Sequence, residues 1–174
     1  MQNIDEPVHV LEYESLWPEL YLAERARVAG ALVIHAQFME HIGSTAVPGL
    51  ASKPIIDIML GVSGWPPTQT IEEKISHLGY ESLGEAGVPE RLYFRLRSST
   101  NFNLHVVRLH GNHWRSNIAL REYLRGSESA RLRYQQAKRA AIMAGANTLL
   151  AYSQAKSDII AALLQEALAH QNAS

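Results

Sequence analysis

The feature that most constrains this chain is the run from His41 to Leu60, His-Ile-Gly-Ser-Thr-Ala-Val-Pro-Gly-Leu-Ala-Ser-Lys-Pro-Ile-Ile-Asp-Ile-Met-Leu. An apolar segment enters a Gly43-Ser44 turn, and a second apolar segment, Ile55 to Leu60, carries one carboxylate, Asp57. Ile55, Ile56, Ile58, Met59 and Leu60 are apolar on both faces of a period-2 strand, which predicts an interior strand. Asp57 therefore requires a cation, a donor network or a proton, because an unpaired charge there costs several kcal/mol. Small residues at the turn let backbone N–H groups approach a ligand closely, and a following helical turn points its amide dipoles at anionic oxygens. With the hydroxyls of Ser44 and Thr45, the pattern reads as a phosphate and metal site. An ordinary turn at Gly43-Ser44, with Asp57 capping a neighbouring helix, is the alternative that spacing alone leaves open.

At 174 residues the chain fits a single domain, 1–174, able to bury a substantial core without staples. Its 16 basic and 17 acidic residues give a formal net charge of -1, so nothing global favours long nucleic acid or an anionic membrane. Any polyanion contact must be local. Cysteine is absent, which removes disulfides, thiolate metal sites and cysteine nucleophiles and is compatible with a reducing cytoplasm. No basic-then-apolar leader opens the sequence, and no apolar run approaches the ~20 residues needed to cross a bilayer. The expectation is a soluble, cytoplasmic protein.

Along the chain, residues 1–12 read as a loose arm, and Pro18 suits the first turn of a helix whose Trp17, Leu20, Tyr21, Glu24 and Val28 share a face. Leu32 to Ile42 reads as a strand, as does Ile55 to Val62. Thr70 to Leu78 has helical spacing stopped by Gly79. Tyr80–Leu83, Arg91–Arg97 and Phe102–Leu109 read as three short strands between Gly, Pro and Ser signals. Helices follow over His113–Leu124 and Glu128–Ala144, and a last one is capped by Thr148. This order predicts an α+β domain with a mixed sheet, covered by helices on one side, and a helical portion over about 112–170.

Tyr13-x-x-x-Trp17-Pro18-Glu19-Leu20, the His41 to Ile58 block, Leu104-His105-Val106-Val107, Leu120 to Arg125 and Ala151-Tyr152-Ser153-Gln154-Ala155-Lys156-Ser157 resemble the GrpB family from about Tyr13 to Leu168. The resemblance implies a nucleotidyltransferase-like fold of the polymerase-beta superfamily, whose pattern is a Gly-Ser turn followed by acidic-hydrophobic-acidic on a strand. It also implies company, since in some bacteria a similar domain is fused behind dephospho-coenzyme A kinase. Gly43 and Ser44 match the turn and Asp57 the first acidic position; Met59 stands at the second. The later strand that commonly donates a third carboxylate matches Leu104 to Val107, which offers His105 instead. Magnesium prefers an octahedron of oxygens, so one Asp with one His makes a weaker or different metal site.

His105 projects opposite to Leu104 and Val106, either into a site or as a structural histidine. His41, two residues before Gly43, is within reach of a phosphate at the turn or simply closes the strand. Lys53, held extended by Pro54, neutralises Asp57, contacts a phosphate, or is solvated. Arg91, Arg95 and Arg97 share one side of a strand, as a phosphate grip or a solvated face. Tyr152 and Lys156 are neighbours on one helical surface, and the family-like motif ranks Lys156 above Lys138 and Arg139. Arg121 has the same standing.

The expected function is that of a nucleotidyltransferase-like enzyme. Gly43, Ser44 and Thr45 hold the phosphates of a nucleotide such as ATP, with His41, Arg121 and Lys156 as further contacts. Asp57 and His105 act in catalysis and bind Mg or Mn, and Arg95 with Lys53 neutralises developing charge. The reaction is nucleotidyl transfer to a small acceptor or adenylation-type activation of a carboxylate. The alternative is a noncatalytic module that binds a nucleotide or coenzyme A precursor through a degenerate metal site.

Overall fold

The computed structural model describes the backbone of residues 5–34 and 38–172. Pro18 sits in the first turn of helix α1 (Trp17–Leu32), which buries Trp17, Tyr21, Glu24, Val28 and Leu32 along one stripe. Strand β1 (Met39–Ile42) leads into a short 3-10 turn over Ser44–Ala46 and then into β2 (Ile55–Val62). After α2 (Gln69–His77) come β3 (Glu81–Ser82), β4 (Arg91–Leu96) and β5 (Asn101–Arg108). Helices α3 (Asn112–Gly126), α4 (Glu128–Met143), α5 (Leu149–Ala155) and α6 (Ser157–Asn172) complete the chain.

The five strands form one mixed sheet in the order β1-β2-β5-β4-β3, in which β2 and β5 are parallel and the other neighbours antiparallel. Strand alternation sorts the residues onto two faces. Ile56, Ile58 and Leu60 of β2, Phe102, Leu104 and Val106 of β5, and Phe94 of β4 join the main core with Trp17, Tyr21 and Val28 of α1 and Ile75 of α2. Each such side chain contributes about 1.5–3 kcal/mol by leaving water. On the opposite face Trp114 of α3 closes over Ile42, Met59 and Val107. Helices therefore cover both faces, correcting the one-sided arrangement expected from the order of elements.

Three local expectations also change. The strand expected over Leu32–Ile42 is only Met39–Ile42, because Leu32 completes the buried stripe of α1 and Val33 ends that helix in the left-handed region (φ 55); residues 35–37 lie outside the described residues. The last helix is broken at Lys156 into α5 and α6. The described part of the arm is pinned rather than loose: Val8 N–H donates to Asn147 C=O at 2.9 Å, Leu149 N–H to Glu6 C=O at 2.8 Å, and Leu11 exchanges two backbone bonds with Ser52.

The carboxyl-terminal helices are seated on the segment just beyond the glycine turn. Val47 and Leu50 pack with Leu124, Ala130, Tyr134 and Leu163 in a second cluster, which sets α4 above Ser44.

Candidate functional site

Gly43 adopts φ 72 and ψ -170, a region only glycine enters without strain. A Cβ there would lie 2.8 Å from Asp57 Oδ2, so the turn and the carboxylate of β2 are in direct contact. Asn103 stands opposite Asp57 in the parallel β2–β5 register, and His105 lies two residues further along the same face, opposite Tyr93. Asp57 Oδ1 accepts from Asn103 Nδ2 at 2.7 Å and pairs with His105 Nε2 at 3.2 Å. An ionised carboxylate only accepts, so His105 donates through Nε2 and keeps Nδ1 as its basic atom. Asn103 is held in turn by Arg97, which donates to its Oδ1 at 3.0 Å and forms an ion pair with Glu6 at 2.6 Å.

Burial pushes the Asp57 carboxyl up, but the Lys53 charge and the hydrogen bonds from His105 and Asn103 more than reverse this, holding it well below the usual carboxylate range. Burial lowers the His105 pKa despite Asp57, leaving a neutral imidazole at pH 7. The two side chains keep 18% and 16% exposure, enough to meet a small ligand.

A second layer comes from the helices. Lys138 Nζ donates to Ser44 Oγ and to Ala51 C=O, each at 2.7 Å, and lies 4.3 Å from the Tyr134 ring centroid. Lys156, at the end of α5, lies 4.1 Å from the Tyr152 centroid and 6.0 Å from that of Tyr134. Burial, then the charges of Lys156 and Lys53, bring Lys138 down to about 6. Burial and Lys53 bring Lys156 down to about 8, against the pull of Asp57.

Gly43, Ser44, Lys53, Asp57, His105 and Lys156 are thus brought into one neighbourhood. His41 is not among them: it projects to the other face, stacks on Tyr21 with centroids 4.7 Å apart, and bonds the Thr45 hydroxyl at 2.9 Å. Burial lowers its pKa to about 4, so it is a neutral core histidine, and the Thr45 hydroxyl is turned away from the cradle. Arg95 is bound to Glu81 at 2.6 Å at the sheet edge. Arg121 fastens α3 to β1 through Glu40 at 2.6 Å and the His41 carbonyl at 2.9 Å, with Glu122 as a third partner. These two arginines are occupied by the fold.

Sequence reasoning missed Lys138, Asn103, Tyr134 and the role of Tyr152. The signals were present: Asn103 is two residues from His105 on one strand, and Lys138 falls in the stripe Ala130-Tyr134-Lys138-Ala141 that α4 buries.

As metal ligands, Asp57 and His105 fit poorly. Asp57 Oδ1 is already engaged twice, Met59 is buried beneath Trp114, and the nearby charges are ammonium groups. Among the described residues no three His, Cys, Asp or Glu side chains gather as a ligand set, and one engaged carboxylate does not make the oxygen cage a magnesium-like ion requires.

Fold and site together define an α+β domain in which a glycine-only turn abuts a lone carboxylate under a lysine-bearing helical cover. The chain belongs to the GrpB family, whose model, described as GrpB protein, matches residues 7–166. It is 32% identical to a UPF0157 protein of Halalkalibacterium halodurans, covering 92% of this chain and 82% of that one. A UPF0157 protein of Streptomyces coelicolor is 33% identical, covering 90% and 82%. The crystal structure of the conserved protein GrpB from Enterococcus faecalis superposes with a TM-score of 0.82 at 28% identity, covering 94% of this chain and 99% of that one. No helix among the described residues is long and apolar enough to cross a membrane.

Proposed function

We propose that this protein binds a phosphorylated small molecule of the nucleotide class between the Asp57 face of the sheet and helices α4 and α5, and transfers a nucleotidyl group from it to a small acceptor. The observation that carries this reading is the Gly43 turn, closed against Asp57, with Ser44 Oγ held by a buried lysine. The first amides of a helical turn have no partner within it, so those of Ser44 and Thr45 suit phosphate oxygens. The nucleotide class is supported by the resemblance of this turn and strand to nucleotidyltransferases.

In this scheme Asp57 fixes the His105 tautomer, and His105 Nδ1 takes the proton from an acceptor hydroxyl as its oxygen bonds to the α-phosphorus and pyrophosphate leaves. A carboxylate acceptor needs no base and would yield an acyl adenylate. Lys138 and Ser44 meet the charge that builds on the departing phosphates. Arg91, whose pKa burial lowers and which stacks on Tyr93 at 5.1 Å, faces Asp57 from β4. Met59, where a second carboxylate would stand, favours a second reading as a noncatalytic nucleotide or coenzyme-A-precursor module.

The test is calorimetric titration with ATP and coenzyme A precursors, followed by pyrophosphate release over an acceptor panel. ATP binding with turnover that drops at least ~10²-fold in His105→Ala supports the enzyme. Binding without turnover on any acceptor leaves the module, and failure of every nucleotide and precursor to bind overturns both.

A further inference from the structure

Two amines are buried above the Ser44 turn and, among the described residues, neither has a carboxylate partner of its own. Lys138 is 1% exposed and Lys156 8%, and among the described residues neither forms an ion pair. What they have instead are the faces of Tyr134, 4.3 Å from Lys138, and Tyr152, 4.1 Å from Lys156. The Tyr152 hydroxyl is also buried and has no hydrogen-bond partner among the described residues. The two amines meet over one ring: Lys138 lies 4.3 Å and Lys156 6.0 Å from the Tyr134 centroid. Buried charges are ordinarily paired, and buried hydroxyls bonded. Two buried amines without a counter-charge, one of them against a tyrosine whose hydroxyl is orphaned, are an arrangement that an anion completes.

Resting on the reading above, we infer that Lys53, Lys138 and Lys156 bind an oligophosphate of at least two phosphate groups, and bind it without a divalent cation. Lys138 is tied to Ser44 and so serves the phosphate at the glycine turn. Lys156 enters from a different helix, 6.0 Å from the centroid of the Tyr134 ring that Lys138 also covers, and Lys53 stands two residues before β2; these two serve the second group. A metal ion carried in on the phosphates would meet Lys53, Lys156, a Lys138 onto which the seated phosphate draws a proton, and one carboxylate whose Oδ1 is already taken. The amines repel it and bind the same phosphate oxygens.

The experiment titrates the full chain with inorganic tripolyphosphate and with inorganic phosphate, in EDTA and in excess magnesium. Saturable tripolyphosphate binding in EDTA at least ~30-fold tighter than phosphate, unchanged or weakened by magnesium, is the expected result. Lys138→Met and Lys156→Met each reduce it at least ~10-fold while keeping a cooperative melt. Tripolyphosphate binding that requires magnesium, that matches plain phosphate, or that is absent overturns the inference. Unchanged affinity in folded Lys138→Met and Lys156→Met proteins does the same. The native-chain titration stands even if a variant does not fold. ATP binding confined to magnesium buffer sinks this inference and spares the proposed function; tripolyphosphate binding in EDTA with no nucleotide bound in any buffer does the reverse.

Discussion

Two buried charge clusters in this molecule are built in opposite ways. Between α1 and the start of β3, Glu24 is 7% exposed and fully partnered: Arg27 donates to both its oxygens at 2.8 and 2.6 Å, and the Tyr80 hydroxyl donates at 2.7 Å. Across the sheet, Lys138 and Lys156 are as deeply buried, but among the described residues they have aromatic faces, a serine hydroxyl and a carbonyl and no carboxylate partner. The first cluster is complete in the folded chain. The second has no built-in counter-charge among the described residues; on the inference above an anion supplies it, so the cluster lowers stability in the free protein and acts in binding. A buried charge serves the fold where its counter-charge is built in, and serves a ligand where it is not.

The most disruptive change is expected at the floor of the second cluster. Gly43→Val forces a β-branched residue to φ 72 and drives its Cβ into the Asp57 carboxylate, a loss of about 4 kcal/mol in urea unfolding together with ligand binding. Glu24→Ala breaks the first cluster alone. Leaving the buried Tyr80 hydroxyl unpaired and the half-exposed Arg27 with only the Leu78 carbonyl lowers stability by about 2 kcal/mol, with tripolyphosphate affinity unchanged in calorimetry. Lys138→Met reverses that outcome: binding is lost while the melting temperature of the free protein holds or rises, because an unpaired buried amine is replaced by an apolar chain of similar length.

The smallest effect is a pH dependence confined to the second cluster. The unfolded chain keeps the Lys138 proton up to its ordinary pKa of 10.5, whereas the folded chain releases it above about 6. Between these values the unfolded state binds more protons, so stability rises with pH. From pH 7.5 to 9 the gain from Lys138 is about 2 kcal/mol, read by urea unfolding, with a lesser part from Lys156 above about 8. Lys138→Met removes most of this slope, and Glu24→Ala leaves it intact. A native slope that is flat or falling over this range means that Lys138 is charged in the free protein.

The same contrast separates what was legible in the sequence from what was not. The interior strand around Asp57, the short strand carrying His105 and the turn at Gly43 were readable because period-2 alternation and the glycine's backbone demand are local. His41 misled because its distance along the chain from Gly43 is short, yet one residue of strand alternation turns it to the other face, onto Tyr21. Arg95 and Arg121 were readable as cations but not as occupied ones, since Glu81 and Glu40 reach them through tertiary pairing. Lys138 was passed over for Lys156 although its place in the buried stripe of α4 set it apart. Its partner Ser44 is 94 residues away, a distance no periodicity spans.

The central claim, that Ser44 and the buried lysines receive phosphate, is tested most directly by titrating the full chain with ATP at pH 7.5 in two buffers of different ionisation enthalpy. In the free protein Lys138 is then largely neutral and Lys156 largely charged, facing Lys53 and Asp57 from β2 and its approach, with Tyr134 and Tyr152 from α4 and α5. A phosphate seated against Lys138 draws a proton onto it. The account predicts 1:1 binding with uptake of about one proton, visible as a difference in binding enthalpy between the buffers. Absence of binding, or binding with no proton taken up, would contradict it.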